Sequence, residues 1–88
     1  MLPVSESQNC KNITSTTTIF TGPCRLLGIF VSSVSGSPTL KIGDGGTTLV
    51  NTFTPVAATW YPMPGTMATS LVVTVGATLD CCVFWNPN

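Results

Sequence analysis

The sequence contains no histidine, and only three basic and three acidic side chains stand among its 88 residues. Without histidine, the commonest general base and the usual activator of a cysteine or serine nucleophile are missing. Charged residues make up 7% of the chain, against about 25% in an ordinary soluble domain. The net charge is zero, so there is no electrostatic footprint for a phosphate backbone or an anionic bilayer. Nucleic acid and membrane are therefore not expected partners. Apolar stretches such as residues 26–31 and 71–73 fall far short of the roughly 20 residues that span a bilayer as a helix. The first nine residues, MLPVSESQN, have neither a basic start nor an apolar run. They do not read as a secretory signal, and the chain is expected to stay in the compartment where it is made.

Cysteine is sparse as well. Four thiols in 88 residues lie below the roughly 8–10% typical of a small secreted disulfide scaffold. Cys81 and Cys82 are adjacent, and neighbours in a strand point to opposite faces, so the two cannot share one bridge partner without distortion. Four reduced thiols are expected, with Cys10 and Cys24 the pair to test for a bridge. Zinc is not expected, since neither a repeated C-x2-C nor any histidine completes a ligand set.

What the chain does have is threonine and valine, 15 and 9 residues respectively. These β-branched types suit a pleated surface, and no window of ten or more residues carries the helical apolar period. Turn residues cut the sequence every 8–12 positions or so, the spacing of sandwiches and barrels. The reading is all-β: a polar N-terminal arm over residues 1–12, then one β-sandwich domain over 13–88 with about seven strands, no substantial helix, and Greek-key or jelly-roll connections. Strands are expected at 13–20, 24–34, 39–42, 47–54, 58–63, 70–75 and 78–85. Leu26, Phe30 and Val34 are expected on one face of the second, which reads as central. Asp44-Gly45 marks a tight hairpin. Pro62 and Pro64 place 58–63 at an edge, because proline cannot donate to a ladder.

The chemical signals have plain structural accounts. Of the three carboxylates, Glu6 falls in the arm, Asp44 in a turn that favours aspartate, and Asp80 on a strand face beside cysteines. None has an evident acid–base partner, so no catalytic residue, cofactor or metal ligand is assigned and the chain does not read as an enzyme. Asn12-Ile13-Thr14 matches a glycosylation sequon of the kind that arises by chance in threonine-rich chains. Trp60, Tyr61 and Trp85 could stack on sugar rings, but the carboxylate-bearing neighbours that orient a ligand are missing. A domain this poor in charge offers little mutual repulsion, and an all-β fold with open edges then favours a fixed assembly. The expected contact residues are Leu2 and Val4 in the arm, with Trp60, Tyr61, Met63 and Met67 along the proline-rich edge.

The blocks TGPCRLLGIFVSS (21–33), LKIGDG (40–45), VNTFTPVA (50–57), WYPMP (60–64) and LVVTVGATLD (71–80) together resemble the small all-β structural proteins of tailed bacteriophages. The resemblance covers residues 13–85. It implies a virion protein made in the bacterial host cytoplasm, foremost a decoration or cement protein on the outer capsid surface. Its partners would be the major capsid protein and copies of itself, as a dimer or trimer. Related proteins serve as tail or fibre components, so a carbohydrate- or receptor-binding tail module is the alternative and a tail-tube or adaptor component a third. Cys24, Cys81 and Cys82 are not part of the pattern, and the family offers no motif that assigns functional residues.

Overall fold

A computed structural model describes residues 9–87. Six strands occur in this order: β1 (Asn9–Ile13), β2 (Thr17–Thr21), β3 (Cys24–Asp44), β4 (Thr47–Phe53), β5 (Thr59–Met67) and β6 (Ser70–Pro87). All pairings are antiparallel and all six strands belong to one sheet. The all-β class is as the β-branched composition dictates, with no helix among the described residues.

The strand count differs from the expected seven for a physical reason. The expected first strand is two, β1 and β2, while the pairs on either side of Ser35–Pro38 and of Gly76-Ala77 are continuous strands. The supposed turns are irregularities inside a single ladder. Between Ser35↔Thr78 and Thr39↔Gly76 the register jumps, so Gly36, Ser37 and Pro38 oppose Ala77 alone. Gly36 (φ 73°) and Ala77 (φ 67°) both take the left-handed conformation there, which bends a strand rather than ending it. Residues 9–12, read as the end of an arm, pair with β6 from Asn9↔Trp85 to Asn12↔Cys82. Of that arm, residues 1–8 lie outside the described residues.

The long strands cannot be straight. At about 3.3 Å per residue, the 21 residues of β3 would reach roughly 69 Å, whereas the longest dimension of the molecule is 40 Å. The β3–β6 ribbon therefore folds over at its irregularity. One half carries β1 and β5 on its flanks and the other carries β2 and β4. Two aromatic contacts tie the halves together. Phe20 pairs in β2 with Leu71 yet touches Trp85 at the far end of β6, with ring centroids 5.9 Å apart. Phe53 of β4 meets Tyr61 of β5 at 5.4 Å. Where two packed sheets were expected, hydrogen bonding joins all strands into one sheet whose halves face each other.

Between the halves lies a single core. Ile29, Val31, Cys81 and Val83 come from one half and Leu40, Ile42, Leu71 and Val73 from the other, all fully buried. Each buried residue alternates with an outward one, as a period of two requires. The ribbon is pinned at its inner end. The Asp44 carboxylate accepts backbone N–H groups from Ala68 (2.9 Å), Thr69 (2.8 Å) and Ser70 (3.1 Å), and Gly45 N–H donates to the Ser70 carbonyl at 3.0 Å. Gly45 begins the expected hairpin with φ 58°, a value that glycine adopts without strain.

Candidate functional site

The outward side chains of the two halves differ in chemistry. Over the β2/β4 half they are Thr18, Thr39, Lys41, Val72 and Thr74, which is an ordinary wettable face. Over the β1/β5 half they include Phe30, Trp60, Pro62, Cys82 and Phe84 at the centre, with Cys10 and Asn12 of β1 beside them and Arg25 and Asp80 at the two ends. Trp60 is 45% exposed and Phe30 37%. This aromatic strip crosses three adjacent strands, with Phe30 between Trp60 of β5 and Cys82 of β6.

Backbone packing sets the strip. A Cβ at Gly28 would stand 2.5 Å from Trp60 Cη2 and 2.7 Å from Cζ2, so the indole lies across β3 in a slot that only glycine leaves open. From there it reaches Phe84 on β6, edge to face, with centroids 5.5 Å apart at 82°. The platform is thus formed before any ligand arrives, and its aromatic pair contributes about 0.5–1.5 kcal/mol beyond area burial.

The expected contact residues separate. Trp60 is exposed as read. Tyr61 and Met63 alternate with it and point to the core side, partly buried, and the Tyr61 hydroxyl accepts the Val56 N–H at 2.8 Å, which holds the loop before β5. Met67 is 1% exposed and sits in the core. The period of two makes it impossible for Trp60, Tyr61, Met63 and Met67 to share one outer surface. Leu2 and Val4 lie outside the described residues. Phe30 and Phe84 take their place beside Trp60. The expected grouping of Leu26 with Phe30 fails because the register shifts between Leu26 and Gly28. That shift sends Leu26 inward, 2% exposed, and Phe30 outward.

A second apolar surface opens between the edges of β4 and β5. It is a shallow groove of about 510 Å³ lined by Leu49, Val50, Pro62, Met63 and Pro64. Its rim carries no charged residue.

The titratable groups are structural in their surroundings. Backbone N–H groups from Ala68, Thr69 and Ser70 hold the Asp44 carboxyl below its ordinary value. Asp80 accepts a hydrogen bond from the Asn12 side chain, which also reaches the Cys81 carbonyl at 3.1 Å. All four cysteines are free. Cys10 is exposed on β1 while Cys24 is buried on β3, so the pair considered for a bridge lies on different strands and in different surroundings. Burial pushes the Cys81 thiol up to about 11, with smaller contributions from Cys82 and Asp80. Burial, and then Asp44, raises Cys24. Thiols held protonated in this way are poor nucleophiles. Among the described residues no group of three or more His, Cys, Asp or Glu side chains could hold a metal ion. Among the described residues no helix is long and apolar enough to cross a membrane.

Comparison with known proteins gives no matching family model, no matching curated protein and no matching solved structure.

Proposed function

We propose that this chain is a non-enzymatic structural protein of a bacteriophage virion, a capsid decoration or cement protein that works by surface burial. The observation that carries the proposal is the rigid aromatic face of Phe30, Trp60 and Phe84 on a chain with almost no charge to keep copies and partners apart. Exposed aromatic strips rimmed by polar residues favour protein contact. The resemblance in the blocks between residues 13 and 85 supports a capsid lattice as the surface that such a face would cover. Many modest contacts repeated over symmetric copies then accumulate through high effective concentration.

The test is co-sedimentation of the purified chain with the heads of its own phage. Binding is expected, and Trp60→Ser together with Phe30→Ser should abolish it while the circular dichroism spectrum is preserved. Unchanged capture of that double variant would remove the proposal. A tail-borne carbohydrate-binding module is the second reading. It is favoured by one observation, an indole held over Gly28 with its outer side in solvent, the pose in which a sugar ring stacks. Its immediate neighbours Phe30, Pro62 and Phe84 are apolar, which counts against the directed hydrogen bonding that sugars require. Glycan-array binding that depends on Trp60 would decide for it.

A further inference from the structure

The aromatic face has a charged residue at each end. Along the β3–β6 ladder the rows run Arg25↔Asn86, Gly28↔Phe84, Phe30↔Cys82 and Ser33↔Asp80. Arg25 stands between the buried Cys24 and Leu26, and Asp80 between the buried Leu79 and Cys81, so both project to the outer side with Phe30, Trp60 and Phe84. The two charges are roughly 20 Å apart along the strands. No other charge shares the described part of this face. Lys11 alternates with Cys10 and Asn12, and Lys41 and Asp44 belong to the other half of β3. Among the described residues Arg25 has no ionic partner, and its buried Nε donates to nothing. Among the described residues the hydrogen bond to the Asp80 carboxylate comes from Asn12.

We propose that this face docks a second copy of the chain, face to face about a two-fold axis that lies in the contact plane and runs across the strands. Such an axis carries the Arg25 end of one protomer onto the Asp80 end of the other, twice by symmetry, and lays the aromatic middle on itself. A surface with a cation at one end, an anion at the other and apolar rings between is complementary to its own copy in this orientation. Docking with the strands in the same sense would bring Arg25 against Arg25 and Asp80 against Asp80. The inference rests on the reading of this face as a contact surface but seats a second copy on it in place of the capsid lattice, so that phage heads would capture the dimer and the Trp60 and Phe30 exchanges would act on capture through dimer formation.

Sedimentation equilibrium of the full chain from about 1 µM to 1 mM tests it. The wild type is expected to dimerise with Kd below about 100 µM. Arg25→Asp and Asp80→Arg should each weaken the dimer at least about tenfold, and the double exchange should restore it to within about threefold. Trp60→Ser should leave monomers. Because Asp80 also holds Asn12, Arg25→Gln reads the same ion pair without touching β1 and should weaken the dimer too. A wild type that stays monomeric at 1 mM, or a dimer indifferent to the charge exchanges, overturns the proposal. If the monomer is still captured by phage heads through Trp60, the contact-surface reading survives and the self-docking inference alone falls.

Discussion

Gly28 shows how one missing methyl group defines a surface. With a Cβ in place, the Trp60 ring would meet it at 2.5 Å and the Tyr61 carbonyl oxygen would be equally close. Neither the backbone nor an indole wedged against Phe84 yields cheaply. Gly28→Ala is expected to destabilise the fold by about 1–3 kcal/mol, the range for overpacking, and to shift the tryptophan fluorescence as Trp60 swings into water. Denaturant titration followed by tryptophan emission reads both. Asp44 offers the second test at this scale. Its folded value lies below the unfolded one, so the stability it contributes is present at pH above about 4 and is lost as pH falls through the folded value. Asp44→Asn is expected to lower the melting temperature at pH 7 and to flatten the decline in stability expected of the wild type as pH falls below about 4. A parallel decline in both proteins would assign the acid sensitivity elsewhere. In the sequence, Asp44 was legible as a turn former. Its grip on Ala68, Thr69 and Ser70 was not, because that contact joins segments that only the fold brings together.

The strands were legible from alternation wherever the ladder is regular. Leu71, Val73 and Val75, and Leu79, Cys81 and Val83, sit on the core side as their period of two implies. Alternation failed where a bulge changes the phase, at Leu26–Gly28 and at Ser35–Thr39, since a bulge has no unique residue signature and glycine or proline reads equally well as a turn. For this reason the sequence pattern groups Phe30 with Leu26, and Phe84 cannot be matched with Trp60 without knowing the register. The bend in β6 is strained at Ala77, whose φ of 67° is costly for any residue with a Cβ. Ala77→Gly is expected to stabilise the protein by up to about 1 kcal/mol, the relief of left-handed strain less the extra freedom of glycine in the unfolded chain. Thermal melts would show it as a rise in midpoint, and a fall would mean that the methyl group packs usefully at the corner.

The whole molecule is organised by one ribbon, closed at its inner end where Asp44 pairs with Leu71 and at its outer end where Cys24 pairs with Pro87. The inner closure spans a much shorter stretch of chain than the outer, and the entropy of loop closure favours it first. Folding is then expected to start beside Asp44 and zip outward past the corner, with β1 joining last on the outer end of β6. Stopped-flow chevrons should show Asp44→Asn mainly slowing refolding and Val83→Ala mainly hastening unfolding. The rows that bear Phe30, Trp60 and Phe84 belong to the late-closing end. Half-finished molecules would therefore have no completed aromatic strip to offer one another, and the face proposed for contact would come into being only on chains that have already passed the step where sticking to a neighbour does harm.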